Sequence, residues 1–442
     1  MLDLKYKTIL GVALPMMVSG FIQSIVMITD SALISRYSTE AFVAVGNGGL
    51  LYVTMYMCLI GMADGAQIII ARRIGEERQN AIGRVFGTTV ITHFLLATLF
   101  FVLLYFLMPD IILSYSKDQF VGALQGDFIH IRAFALFFAM ITLSIQAFFV
   151  ATGKTWVVLI AALITAVSNM VLGYGLILGN FGFSRLGVEG AAMASTIADG
   201  LGMLFLVLYL SFSEERKRYR LYQYFSFDGK SMIELIKIGS PLMLQGFFAL
   251  GTWSLFFTWL EQKGQFDLTV SQNIRSIYFL AFVPIWGFAG TTKTYISQYL
   301  GHKTYVAIPI IQKRIQFLTV IFLLISFHGA ILYPETLINL INPEEQYIAK
   351  SAEILRLVSV SILLFGLVSV YFQTIHGSGN TLHSMIIEFL TVGIYAVFSY
   401  LFIKVWNFDI YWIWTVEYIY FGILGLFSIS YLRLFNWKNK VV

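Results

Sequence analysis

The sequence has little charge and almost no cysteine. Only 12% of its 442 residues are Asp, Glu, Lys or Arg, whereas 58% are hydrophobic, so too few polar residues remain to enclose a water-soluble core. With a single cysteine, Cys58, the chain has no disulfide framework and no cysteine metal site. A net charge of +5 and 16% aromatic residues exclude a disordered or nucleic-acid-binding chain. Lipid is therefore the predicted solvent for most of the protein.

Two further absences limit the chemistry of the chain. Its 6 histidines show no metal-ligand spacing, and no Gly-rich loop of the ATP-binding type occurs. We therefore expect no cofactor and no metal, and we expect that the protein is not an enzyme. An intramembrane enzyme would need a nucleophile with its base, or a metal cluster, within the bilayer.

Twelve apolar runs are long enough to cross a bilayer as helices. They lack the alternating pattern of a membrane β-barrel. The first run is longer than the hydrophobic region of a signal peptide, and no small-residue cleavage site closes it, so we expect a retained first span. The predicted spans are 8–30, 42–71, 85–108, 128–151, 157–178, 187–210, 234–260, 272–298, 312–333, 352–376, 383–404 and 410–433.

Basic residues are unequally distributed between the two sides of these spans. The side that carries both termini holds 19 Lys and Arg residues, and the other side holds 6. The positive-inside rule therefore predicts that both termini are cytoplasmic, in a multi-pass protein of the cell (inner) membrane. The 6 residues on the outer side are Arg36, Lys117, Arg185, Lys263, Lys350 and Lys404.

The second half of the sequence repeats the first at one constant offset. This repeat offset aligns Pro15 with Pro241 and Asn47 with Asn273. Each half then holds six spans, so both halves share one orientation, an arrangement typical of secondary transporters that hold substrate between two halves. The same offset aligns Gly20 with Gly246, Gly61 with Gly287, Gly75 with Gly301, and Gly153 with Gly379.

The repeat predicts the fold class and the domain limits. We expect an all-α integral membrane protein with twelve transmembrane helices in two pseudo-symmetric six-helix lobes. The N-terminal lobe is predicted at 1–210 and the C-terminal lobe at 234–442. A charged segment at 211–233 is the predicted cytoplasmic linker between them.

Polar residues inside the spans are the functional candidates, because an ionisable group at the bilayer centre costs about 3 kcal/mol or more. In the first half these are Asp30, Asp64 and Asp199, with the uncharged Asn169 at mid-depth. Asp30 follows an apolar run, and its repeat equivalent is a phenylalanine. Its carboxyl group could take up a proton or coordinate Na⁺, and the alternative is a surface acid paired with Arg36.

The second half offers weaker candidates. Glu261 and Arg275 flank one short loop, where they form either an ion pair or part of a cation site. Lys293 lies towards the cytoplasmic side, where pairing or snorkelling is the simpler interpretation. Glu388 and Glu417 lie nearer helix ends, and we interpret both as structural.

Together these residues resemble the multidrug and toxic compound extrusion (MATE) transporters. The resemblance rests on Pro15 and Asp30 in span 1, on 67–76 (QIIIARRIGE) closing span 2, and on Asn169 followed by 186–192 (LGVEGAA). It covers essentially the whole chain. The second half agrees through Pro241, Trp253, Glu261, Gly264, Asn273, Pro284 and Gly287.

The resemblance implies a cation site in each lobe. In the first lobe it would use Asp30 and Asn169, and Asp199 would supply the charge of an acid that many members have where this chain has Gly173. In the second lobe Glu261 would be joined by an acid in span 10. The only acid in that span is Glu353 at its outer start; deeper in the span the polar residues include Tyr371, Gln373 and His376, so the candidate second site is Glu261, Arg275 and Tyr371.

The function that follows is efflux by antiport. We expect a monomer that exports amphipathic, cationic small molecules in exchange for H⁺ or Na⁺, with membrane lipids and no nucleic acid as partners. The alternative from the same superfamily is a flippase for a lipid-linked precursor or polysaccharide. A flippase would favour several basic groups for a pyrophosphate, and only Arg275, Lys293 and Arg356 are available.

Overall fold

The structure is a computed structural model that describes residues 1–440, with Leu250 described by its backbone alone. Helices form all of the regular elements among these residues, which include no strand. The first half contains α1 (Tyr6–Ser35), α2 (Thr39–Gly75), α3 (Gln79–Val102), α4 (Met108–Tyr115), α5 (Gln119–Ala133), α6 (Ala135–Thr152), α7 (Trp156–Leu178) and α8 (Val188–Phe212). The rest contains α9 (Glu214–Arg218), α10 (Gly229–Lys263), α11 (Gln265–Gly301), α12 (Ile308–Leu332), α13 (Pro334–Ile341), α14 (Glu345–Gly377), α15 (Thr381–Tyr400), α16 (Ile410–Ile413) and α17 (Val416–Leu434).

The helices confirm the predicted fold class. Twelve of the described helical segments are long and apolar enough to cross a membrane, and each overlaps one predicted span. Most extend several residues beyond the predicted limits, because a helix ends at its caps and not at the edge of the bilayer. Ser38, for example, begins α2 before the predicted limit of 42–71 by accepting a hydrogen bond from the backbone N–H of Ala41 at 3.0 Å.

The fourth predicted span, 128–151, crosses a break in the structure. The chain leaves α5 at Ala133 and enters α6 at Ala135, with Phe134 between them. In the second half the corresponding helix, α14, begins at the repeat equivalent of the first residue of α5 and continues without a break. The break is therefore a difference between the halves, and it directly follows the last turn of α5, which holds Arg132.

Elsewhere the repeat is visible in the helix limits. The first and last residues of α11 are the repeat equivalents of those of α2, and the same holds for α13 and α4. The left-handed backbone positions repeat as well. Gly153 and Gly379 both have φ of 82°, and Glu77 and Lys303 both have φ of 59°.

Contacts divide the chain into two compact units. The N-terminal unit is Leu14–Met243, and the C-terminal unit combines Met1–Ala13 with the chain from Leu244 onward. The divisions fall inside α1 and α10. The predicted lobes, 1–210 and 234–442, and the linker 211–233 stay a prediction, and the last two residues of 234–442 lie outside the described residues.

The predicted linker is packed against the N-terminal unit. Leu221 is fully buried, and the backbone N–H of Asp228 donates to the Thr88 hydroxyl on α3 at 3.1 Å. The Ser231 hydroxyl and N–H both donate to the Asp228 carboxylate, and these hydrogen bonds lower the pKa of Asp228. This carboxylate caps the first turn of α10.

The first residues of the chain are held by the C-terminal unit. Tyr299 donates its hydroxyl to Leu2 O at 2.9 Å, and Tyr295 donates to Asp3 O at 2.9 Å. Arg314 also donates to a backbone carbonyl of this segment, that of Leu4. The contacts use backbone atoms of the segment, so they hold it in position without requiring particular side chains there.

The core of the C-terminal unit contains a carboxyl group held by tyrosines. Glu417 on α17 is 4% exposed, and it accepts hydrogen bonds from Tyr278 at 2.7 Å and from Tyr395 at 3.2 Å. Nearby, Glu388 accepts from Tyr420 at 2.6 Å. Since Glu417 joins α11, α15 and α17, the structure supports the interpretation of this residue as structural.

We expect Glu417→Ala to lower the free energy of unfolding by about 2–3 kcal/mol, because it leaves two buried hydroxyl donors without an acceptor. The matched variant Glu417→Gln should stay close to wild type, since its amide can accept from one tyrosine and donate to the other. Thermal unfolding in detergent measures both. An alanine variant as stable as the glutamine variant would contradict the proposed role.

Candidate functional site

Two of the predicted site residues lie side by side in the N-terminal unit. Asp30 is in the last two turns of α1, and Asn169 is on α7. The Asn169 amide Nδ2 lies 3.5 Å from Asp30 Oδ2 and donates a good hydrogen bond of 2.9 Å to Ser195 Oγ on α8. Asn169 is 3% exposed, so this amide is buried in the protein interior.

The third predicted residue, Asp199, is engaged by a residue that the sequence prediction did not include. Arg132 Nη1 lies 2.9 Å from Asp199 Oδ2, and the two side chains are 11% and 31% exposed. The Arg132 guanidinium also stacks over the ring of Tyr52, 4.0 Å from its centroid. A cation between a carboxylate and an aromatic face is doubly stabilised.

Local structure explains how these groups meet. Helix α5 packs against α2 and α8, so its last turn faces Tyr52 on the former and Asp199 on the latter. Arg132 occupies that last turn, directly before the break at Phe134. Its charge also favours a helix C-terminus, where the backbone carbonyls carry partial negative charge.

Asp30 is the carboxylate of this cluster that forms no ion pair with any residue that the structure describes. Beside it, the Asn169 carbonyl oxygen Oδ1 is buried and accepts no hydrogen bond from the described residues. Buried oxygens rarely stay unpaired. A carboxylate next to an unused carbonyl oxygen is a set of ligands suited to a proton or a small hard cation.

Gly173 is the position at which the resemblance described above implies an acid in many family members. A Cβ built there lies 3.2 Å from Leu33 Cδ1 on α1, so a longer side chain requires Leu33 to move. Leu33 is one turn beyond Asp30. The absence of an acid here thus goes together with tight packing between α1 and α7.

The second-lobe candidates are not brought together by the structure. Glu261 is exposed near the end of α10, and it forms no ion pair with Arg275, although both residues are described. The Arg275 guanidinium instead lies 4.8 Å from the ring centroid of Phe257. Tyr371 lies near the far end of α14, where it lines a cavity with residues of α12 and α17. These three residues remain an untested prediction.

The repeat shows that the fold does not require the polar cluster. In the C-terminal unit the repeat equivalents of Asp30, Arg132, Asn169 and Ser195 are Phe256, Val358, Tyr395 and Phe421. All four equivalents belong to one buried cluster and three of them are aromatic, although the Tyr395 hydroxyl there donates to the buried Glu417 carboxylate at 3.2 Å. The frame is therefore stable without an acid, an arginine and an amide at the positions that carry them in the first half.

Sequence reasoning missed Arg132, Ser195 and Tyr52. Arg132 offered a clear signal, since it is an arginine inside the predicted span 128–151 and such residues are rare in membranes. Ser195 and Tyr52 offered none, because serine and tyrosine are common in membrane helices. Their role depends on which helices pack together.

Comparisons with known proteins agree with this architecture. A family model described as MatE matches residues 15–175 and 241–401, two copies displaced by the predicted repeat offset. The probable multidrug resistance protein NorM of Thermotoga maritima is 25% identical over 404 residues, covering 87% of this chain and 83% of the relative. The probable multidrug resistance protein YoeA of Bacillus subtilis is 20% identical over 437 residues, covering 97% and 93%.

Solved structures show the same fold. A Vibrio cholerae MATE transporter superposes with a TM-score of 0.88 at 18% identity, covering 98% of this chain and 98% of that chain. A transporter of the MOP superfamily from Pyrococcus furiosus gives 0.87 at 18% identity, covering 97% and 95%. With the family model matching well over half of the sequence, the predicted class of transporter, and not of enzyme, is confirmed. The chain belongs to the MatE family of MATE transporters.

Proposed function

We propose that this protein exports organic, cationic compounds across the cell (inner) membrane in exchange for H⁺ or Na⁺. The relatives NorM and YoeA are named probable multidrug resistance proteins, which supports a broad range of small-molecule substrates. The excess of basic residues on one side supports an orientation with both termini in the cytoplasm. We further propose that the protein acts as a monomer.

The observation that carries the proposal is the state of Asp30. Its carboxylate lies in a membrane helix without an ion pair among the described residues, 3.5 Å from an amide whose carbonyl oxygen is buried and unpaired. In the same cluster Asp199 is neutralised by Arg132. Asp30 is thus the acidic group that is available to exchange a coupling ion.

Asn169 gives proton uptake a structural consequence. With Asp30 ionised, the amide Nδ2 faces the carboxylate and Oδ1 is unused. A protonated Asp30 becomes a hydrogen-bond donor, and a flip of the Asn169 amide, which exchanges its nitrogen and oxygen, would let Oδ1 accept from it. Ser195, which accepts from Nδ2 in the structure, could then donate its hydroxyl to Oδ1, because a hydroxyl both donates and accepts. One proton would thereby change the hydrogen bonds among α1, α7 and α8.

Na⁺ would use the same atoms in another way. The Asp30 carboxylate and Asn169 Oδ1 are both oxygen ligands, and the bound cation would satisfy the unpaired carbonyl without protonation. Either ion neutralises Asp30. An organic cation that needs the ionised carboxylate would then be released, which is the exchange expected of an antiporter.

The proposal is tested by imposing the two gradients separately. Purified protein in liposomes loaded with a fluorescent organic cation should export it when a Na⁺ gradient or a pH gradient is applied. Liposomes without protein, and proteoliposomes without a gradient, are the controls. Transport under one gradient identifies the coupling ion, whereas no response to either would overturn the proposed antiport.

A further inference from the structure

The C-terminal unit contains a cavity that the proposed transport does not use. It lies where α12 begins and where α14 and α17 end, and its volume is ≈ 260 Å³. Its polar lining comes from Gln312, Tyr371, Arg433 and Lys438, and its walls include Pro309 and Trp437. These helix ends share the side of the membrane on which the chain terminates, which the positive-inside rule predicts to be cytoplasmic.

Two positive charges at this cavity lack a counterion within the part of the chain that the structure describes. Arg433 and Lys438 form no ion pair there, and no acidic residue lines the cavity. Lys438 instead lies over the ring of its neighbour Trp437, with Nζ 5.6 Å from the centroid. The Tyr371 hydroxyl is likewise without a hydrogen-bond partner among the described residues. The cavity therefore presents hydrogen-bond donors and two positive charges, and its lining contains no negatively charged side chain.

The segment that carries Lys438 is fixed in place. The Trp437 indole is 5% exposed and donates to Leu432 O at 2.9 Å. From the connection between α14 and α15, Asn380 Nδ2 donates to Trp437 O at 3.0 Å. Because the short helical turn Trp437–Asn439 is anchored through both the side chain and the backbone of its tryptophan, Lys438 is held near Arg433 at the cavity.

Apolar side chains surround the charged mouth. Leu434 and Phe435 follow Arg433 directly and are 79% and 59% exposed, and Ile310 on α12 is also exposed. Such side chains are stable at the end of a membrane helix when acyl chains cover them. A ligand that fits this place has a negatively charged head and an apolar body.

We propose that this cavity binds the phosphate headgroup of an anionic phospholipid. Arg433 and Lys438 would contact the phosphate oxygens, since guanidinium and ammonium groups are the usual partners of phosphate. The Tyr371 hydroxyl provides a further donor, and Gln312 Nε2, which already donates to Thr374 Oγ1 at 3.0 Å, has a second N–H for the ligand. The lipid tails would lie along Leu434 and Phe435. Basic pockets between membrane helices commonly select such lipids. The site is independent of Asp30 and of the proposed antiport.

The test compares lipids and variants in one measurement. The thermal unfolding midpoint of the purified protein in detergent is recorded at low salt with added phosphatidylglycerol, with phosphatidylcholine and with inorganic phosphate. Phosphatidylglycerol should raise the midpoint and the other two should not. An equal shift with phosphatidylcholine would overturn selection for charge, and an equal shift with inorganic phosphate would overturn a lipid site in favour of a free anion.

Variants localise the effect. In the double variant Arg433→Gln and Lys438→Gln the concentration of phosphatidylglycerol needed for half of the shift should rise at least about tenfold. The matched control, Arg36→Gln with Lys117→Gln, loses the same charge elsewhere and should respond like wild type. Native mass spectrometry of the single variants gives the same comparison if the double variant does not fold. Unchanged binding in the Arg433 and Lys438 variants would overturn the proposal.

Discussion

Asp30→Asn is expected to reduce gradient-driven efflux to the level of protein-free liposomes. The amide has nearly the size of the carboxyl group. Its oxygen can still accept from Asn169 Nδ2, which lies 3.5 Å from the Asp30 carboxylate in the structure. What the variant loses is the ability to carry a negative charge or to take up a proton. A transporter coupled through this residue would then have no ion to exchange.

Two further variants separate coupling from folding. Asp30→Glu keeps a carboxyl group, displaced by one methylene, and should therefore retain part of the efflux. Asp110→Asn, an exposed acid on α4, is the matched control and should transport normally. All three should unfold within about 2 °C of wild type, because none removes a buried contact of the fold. Undiminished efflux by Asp30→Asn under both gradients would remove Asp30 from the mechanism.

The number of membrane spans and the repeat could be predicted because the bilayer itself imposes them. Every backbone polar group in lipid must be paired, so long apolar runs have to be helices. The limits of the helices were less accessible. They depend on caps such as Ser38 and on the extension of helices beyond the bilayer, and neither effect changes the apolar pattern. The break at Phe134 had no counterpart in the repeat and gave no local signal.

Part of the candidate site was also accessible from the sequence. Asp30, Asn169 and Asp199 stand out because polar groups are costly in lipid, and the structure places them in one unit. The pairing of Asp199 with Arg132 was not accessible, because it depends on the packing of α5 against α8. In the second lobe, by contrast, the predicted spans already place Glu261 at the outer end of span 7 and Tyr371 near the cytoplasmic end of span 10, so the sequence itself argued against their meeting.

Loss of Arg132 is expected to lower the free energy of unfolding by about 2–3 kcal/mol. Arg132→Met keeps much of the side-chain length but leaves the partly buried Asp199 carboxylate without its cation, and removing one member of such a pair is destabilising. It also removes the contact of the guanidinium with the Tyr52 ring. Thermal unfolding in detergent should show a midpoint lower by several degrees.

The double variant Arg132→Met with Asp199→Asn separates two roles of the ion pair. The pair could add net stability to the fold, or Arg132 could mainly compensate the negative charge of Asp199. With both charges removed, no uncompensated carboxylate remains, so we expect most of the lost stability to return. Arg132→Lys should be intermediate, since it keeps the charge without the planar stacking. If the double variant were as unstable as Arg132→Met, the cost would come from lost packing. In the expected case, the role of Arg132 is to balance the negative charge of Asp199. Asp30 then remains the uncompensated carboxylate that the coupling ion can bind.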